Sequence, residues 1–147
     1  MKIDGGCHCG YITYEAEVDP AKAMICHCTD CQTLSGSAFR SVVFTREDSF
    51  TLRSGKLKIY TKTGESGTPR PQSFCPECGT PIYSTTVGDG PKVHSIRLGT
   101  VRQRAQLIPT MQLWFRSSQR WVCDIGTIPR TETQPVFSGS GGISGDS

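Results

Sequence analysis

Short stretches of alternating apolar and polar residues run along this chain, and nowhere do they settle into a sustained helical period of about 3.6 residues. Strands joined by loops are therefore expected. Tyr11-Ile12-Thr13-Tyr14-Glu15 alternates, Ser41-Val42-Val43-Phe44 is a compact apolar run, and Leu57-Lys58-Ile59-Tyr60 follows the turn Arg53-Ser54-Gly55. Residues 81–84, 93–98 and 111–115 predict further strands. A single short helix is expected over 29–35, capped by Asp30 and stopped by Gly36. Residues 65–73, with Gly67, Pro69 and Pro71, read as a polar connector into Cys75. Trp114, Phe115 and Trp121 are expected in the core, with Ile125 and Ile128 among its last members. From 138 to 147 eight of ten residues are Gly or Ser, a composition that cannot offset the entropy lost on ordering. The expected organisation is a mainly-β domain over 1–130 and a disordered tail over 131–147, in which Val136 and Phe137 are the apolar pair able to dock back.

Composition narrows the class. A length of 147 residues suits one domain, and a hydrophobic share of 35% allows only a thin core. No apolar run approaches the roughly 18 residues of a membrane helix, and Met1 to Asp4 lead into Gly5-Gly6-Cys7 without an apolar leader. A soluble, cytoplasmic chain with no membrane partner is expected. The formal charge is +3, but its basic residues are scattered from Lys2 to Arg130, so no nucleic-acid partner is expected. Eight cysteines are too few for a disulfide scaffold, and a cytosolic chain keeps its thiols reduced. Metal ligation is the remaining use for so many.

Seven of the eight cysteines fall into three groups: Cys7 and Cys9, then Cys26, Cys28 and Cys31, then Cys75 and Cys78 followed by Gly79. Two thiolates on one turn can reach a tetrahedral ion together, with Gly79 expected to relieve crowding at its knuckle, whereas disulfides within such pairs would close strained loops. Seven ligands divide as four plus three. A four-cysteine site is saturated and structural, and a three-cysteine site leaves a position for water or substrate. Cys26, Cys28 and Cys31 can hold three corners by themselves, leaving Cys7, Cys9, Cys75 and Cys78 for the closed site, and seven thiolates with two Zn²⁺ ions cancel the formal positive excess. The alternative for the trio is a second structural zinc completed by a His or Asp. His8 and His27 point away from their flanking thiols in an extended chain and are expected as hydrogen-bonding or surface residues. His94 is expected as a satisfied strand histidine, and lone Cys123 as a small buried apolar residue.

Gly6-Cys7-His8-Cys9-Gly10, then Cys26-His27-Cys28-Thr29-Asp30-Cys31-Gln32 with Gly36-Ser37-Ala38-Phe39, then Phe74-Cys75-Pro76-Glu77-Cys78-Gly79-Thr80-Pro81 together resemble the glutathione-dependent formaldehyde-activating enzyme family, from about residue 5 to 129. The resemblance implies a zinc-bound β-tent fold of short antiparallel strands with little helix. It implies two zinc ions, a structural one on Cys7, Cys9, Cys75 and Cys78 and a catalytic one on Cys26, Cys28 and Cys31. It also implies a carbon–sulfur lyase-type activity that joins glutathione and formaldehyde into S-hydroxymethylglutathione; three thiolate ligands make such a zinc electron-rich, which favours activation of the thiol over polarisation of the carbonyl. Where relatives carry a His-Ile pair ahead of the later Trp, this chain has Gln112-Leu113. Arg40, Arg70 and Arg97 are the cations able to meet glutathione's carboxylates. Two alternatives stand beside the enzyme: a noncatalytic zinc-stabilised binding module, and a thiol or metal sensor with the trio as a labile site.

Overall fold

The computed structural model describes residues 1–135. Its strands are β1 (Lys2–Gly6), β2 (Thr13–Cys26), β3 (Arg40–Thr45), β4 (Thr51–Ser54), β5 (Lys58–Thr63), β6 (Pro69–Phe74), β7 (Pro81–Ser84), β8 (Ser95–Arg97) and β9 (Met111–Leu113), with a helix, α1 (Thr29–Ser35), between β2 and β3. The sheet order is β1-β2-β3-β8-β7-β6-β5, with β4 and β9 also on β2. Apart from the parallel β2–β9 pair, neighbours run antiparallel. The fold is mainly β, as expected, and no helix among the described residues is long and apolar enough to cross a membrane.

β2 is the spine. Its first half buries Tyr14, Ala16 and Val18 and exposes Glu15 and Glu17, the period-two pattern of a half-buried strand. That half pairs with β1 and β4, while Ala23 to Cys26 pair with β3 and β9 after a register shift around Pro20, which has no N–H for the ladder. One end of β2 therefore lies beside the strand that leads to Cys7, and the other end is Cys26. The core packs Ile12, Tyr14, Val18, Val43, Ile82 and Ile96 with Cys75. Burying each such side chain contributes about 1.5–3 kcal/mol.

Three strands lay hidden in the sequence, among them β4, whose last residues Arg53 and Ser54 read as part of a turn. β1 ends in two glycines and shows no apolar rhythm, yet a Cβ on Gly5 would collide with Thr100 O and Tyr14 Oη, so the missing side chain is what lets those groups close on the strand. β6 occupies part of the expected connector. Its prolines, which cannot donate to a ladder, argued against a strand, but Pro69 and Pro71 pair in register with Thr63 and Thr61 of β5.

Several other expectations are corrected. Trp114, Phe115, Trp121, Ile125 and Ile128 are roughly half exposed rather than core, because the chain after β9 breaks into short 3₁₀ turns that lie on the surface. Cys123 sits in that segment and is exposed, not buried. Helix α1 covers the expected residues and stops at Gly36 in the left-handed region, but its cap is Cys28, whose Sγ accepts from Cys31 N–H, and Asp30 lies inside the first turn. Val136 and Phe137 lie outside the described residues.

His94 is not a satisfied strand histidine. It precedes β8, with its ring stacked on Phe50 at 4.9 Å and edge-on to Tyr83 at 4.6 Å, and its buried Nδ1 has no partner. Burial holds its pKa below the usual value. The unfolded chain then binds the proton more readily, so His94 weakens folding as pH falls from about 6.5 toward the folded pKa, by at most about 1.4 kcal/mol per pH unit. Thermal melts of wild type and His94→Gln should diverge in that window, the wild type losing more on acidification. Metal release acts on both proteins alike, and parallel curves would remove His94 from the acid response.

Candidate metal centres

The first cysteine group is assembled from two turns distant in sequence. β1 delivers Cys7, whose N–H donates to Ile12 O at 3.0 Å while Ile12 N–H donates to Cys7 Sγ at 3.2 Å. From the far side, β6 runs into Cys75, and the turn closes through Gly79 N–H to Cys75 O and Cys75 N–H to Thr80 O, both 2.9 Å. Gly79 is required for its φ of 78° and not for crowding, since an added Cβ would meet nothing within 4 Å. His8 N–H donates to Thr80 Oγ1 at 3.1 Å and ties the turns together.

The four sulfurs of Cys7, Cys9, Cys75 and Cys78 lie within 4.8 Å of one another. Cys7 Sγ stands 3.6 Å from Cys9 Sγ, and Cys9 Sγ stands 3.8 Å from Cys75 Sγ. Two thiolates on a tetrahedral ion with bonds of about 2.3 Å stand about 3.8 Å apart, so the donors fit a tetrahedral metal that accepts thiolate. The Thr80 hydroxyl, with the N–H groups of Thr80 and Cys9, lowers the Cys78 thiol to about 5.

The second group hangs on the junction of β2 and α1. Cys26 ends the strand, Cys28 caps the helix, and Cys31 points inward from its first turn, their sulfurs again within 4.8 Å. As free thiols they share protons: a hydrogen bond from Cys31 lowers Cys26 and raises Cys31, and burial raises Cys31 further. Both groups can hold a metal ion. Among the described residues the second group has no fourth Cys, His, Asp or Glu donor. His27 does not complete it. The ring is fully buried between Phe39 and Phe115 and its Nε2–H donates to Gln112 Oε1 at 2.7 Å. Asp30 instead pairs with Lys62 at 2.9 Å. Cys123 joins neither group.

A groove of about 790 Å³ reaches the trio from solvent, lined by Cys28, Asp30, Lys62, Arg70 and Trp114. Trp114 holds a left-handed backbone at φ 55°, uncommon for a bulky residue, with the Arg116 guanidinium 4.9 Å above its ring. The three arginines proposed for carboxylates part company. Arg70 lines this groove, whereas Arg40 and Arg97 are buried together and both donate to Gln72 Oε1, at 3.2 and 2.6 Å. Burial, reinforced by Arg40, pushes the Arg97 pKa down to about 9, which leaves it charged at neutral pH. Sequence reasoning missed Gln72 and the Gln112–His27 pair. The alternation of Arg70, Gln72 and Phe74 was the available signal for the first; nothing local marked the second.

A family model described as glutathione-dependent formaldehyde-activating enzyme matches residues 2–117. No curated protein matches the sequence. Among solved structures, the crystal structure of a Rhodobacter sphaeroides protein, a structural-genomics target, superposes with a TM-score of 0.57 at 20% identity, covering 74% of this chain and 98% of that chain. That likeness is one of fold.

Proposed function

Because the chain belongs to the glutathione-dependent formaldehyde-activating enzyme family, we propose that it is a zinc-dependent carbon–sulfur lyase-type enzyme acting on thiol adducts, with glutathione and formaldehyde joined as S-hydroxymethylglutathione. In this reading Cys7, Cys9, Cys75 and Cys78 hold a structural zinc, and Cys26, Cys28 and Cys31 hold the catalytic one. The observation that carries it is the unequal donor count: four sulfurs in one group, three in the other, with the nearest imidazole turned to Gln112. Zinc on three thiolates would act as a Lewis acid that keeps a substrate sulfur ionised near neutral pH. The reaction joins that sulfur to the aldehyde carbon, and the thiol proton ends on the carbonyl oxygen.

The chain's own residues hold and orient. Gln112 fixes the His27 ring, and Gln32 Nε2–H donates to His27 O at 2.7 Å and Ser117 O at 2.9 Å, which locks the loop bearing Cys28. The groove beside Cys28 admits the substrate. We place the functional unit in residues 1–130 and the protein in the cytoplasm, where clustered thiols stay reduced.

Cobalt-substituted protein tests the reading. Two equivalents should bind, and glutathione should raise the sulfur-to-cobalt absorption of the trio while the closed site stays silent; formaldehyde should then be consumed faster than by glutathione alone. A spectrum unmoved by glutathione overturns thiol activation and favours a noncatalytic zinc-stabilised module. A response without rate enhancement favours the sensor.

A further inference from the structure

Strand register gathers positive charge onto the face that bears the trio. Cross-strand partners share a face, and the pairs Cys26 with Arg40, Val42 with Arg97, Tyr60 with Gln72, and Lys62 with Arg70 place four cations on the face of Cys26, with Lys58 joining opposite Phe74. Helix α1 lies over that face, as its Asp30 pairs with Lys62 and its Leu34 lines a cavity of about 550 Å³ there. Arg40 and Arg97 form the floor of this cavity, and Lys58, Tyr60 and Gln72 line it.

The floor is incomplete as it stands. Arg40 is 7% exposed and Arg97 8%, yet among the described residues neither has a carboxylate partner, and the two guanidiniums share the neutral oxygen of Gln72. Arg97 Nε is buried with no hydrogen-bond partner at all. Two like charges held out of water this way are costly unless an anion meets them. A divalent ion on three thiolates leaves one net negative charge nearby, which offsets one guanidinium and leaves the other. Asp30 is already engaged by Lys62, and Glu65 in the neighbouring groove by Arg116.

We propose that this cavity is an organic-anion subsite, in which Arg40 and Arg97 receive a carboxylate of the substrate while Tyr60 and Phe74 cover the carbon chain that carries it. This places one carboxylate of the thiol substrate proposed above. The substrate's identification as a thiol rests on the function proposed for the trio, but the binding of the anion does not.

Calorimetry on the zinc-loaded full chain separates the two. S-methylglutathione, which keeps its carboxylates but has a blocked sulfur, should bind wild type, and Arg97→Gln should weaken it by about tenfold or more, the scale of one lost charge-assisted hydrogen bond. The neutral thiol N-acetylcysteamine should act on the cobalt-loaded trio equally in both proteins. Should Arg97→Gln fail to fold, competition on wild type decides: glutarate should displace S-methylglutathione, and its neutral isostere glutaramide should not. Unchanged affinity in folded Arg97→Gln, equal competition by the two, or no binding of S-methylglutathione to wild type overturns the subsite. A silent trio with intact S-methylglutathione binding overturns the thiol chemistry and leaves the subsite standing.

Discussion

Cys75→Ser should leave little folded protein at physiological temperature, and this is the largest effect expected of any single substitution. Cys75 is wholly buried and belongs to the apolar core as well as to the four-sulfur group. A structural zinc contributes about 10–16 kcal/mol in small domains, so one ligand in four is worth about 2.5–4 kcal/mol if the share is even. A serine hydroxyl left in an apolar site adds about 1–3 kcal/mol. The sum is of the order of a whole domain's stability, about 5–15 kcal/mol. The group also ties residues 7 and 9 to residues 75 and 78, so its loss frees the start of the chain from β6. Circular dichroism and soluble yield check this, and a Cys75→Ser protein melting like wild type would refute the structural assignment.

Cys28→Ser should do the opposite, leaving a folded protein without activity. Cys28 is half-buried and its local duty is to cap α1, where Sγ accepts from Cys31 N–H at 3.3 Å. Serine is among the preferred caps, so the helix loses little. The trio falls to two thiolates, and bound metal should drop from two equivalents to one. A Lewis acid supplies several kcal/mol at the transition state, so the rate should fall by about a thousandfold. Metal analysis, melting temperature and the rate of formaldehyde consumption are read together. Unchanged activity would remove the trio from the chemistry, and a collapse of stability matching Cys75→Ser would make both groups structural.

The contrast between these variants depends on how differently the groups are encoded. Cys26, Cys28 and Cys31 lie within six residues, and a strand end followed by a helix cap brings them together with no help from afar. The other four come from turns more than 60 positions apart in the chain and meet only in the folded sheet, where His8 N–H donates to Thr80 Oγ1. Counting donors paired those cysteines correctly, since no other partner had metal-like spacing, but the turns that present them were not legible. Asp30 looked like the cap because capping preferences rank Asp high; the Cys28 sulfur two residues earlier does the same work.

Some local signals misled for physical reasons. Trp114, Phe115 and Trp121 are large and apolar, and burial is their default in a thin core. The short turns after β9 lay them on the surface instead, beside the groove to the trio in the case of Trp114. Prolines at 69 and 71 concealed a strand that brings Gln72 and Arg70 onto the face of Cys26.

The sequence by itself determined what depends on neighbours a few residues apart: a short helix over 29–35, strands broken by turns, three chelating groups and an odd count of thiolates. Spacing dictates these because chelation and capping act within one or two turns of chain. Only the tertiary structure decided which side chains meet across the sheet. His27 turns to Gln112 and not to the sulfurs, and Arg40 and Arg97, 57 positions apart in the chain, share one amide oxygen. Those contacts follow from strand register, and register is fixed by the burial of one whole face against another, a property no local run of residues carries.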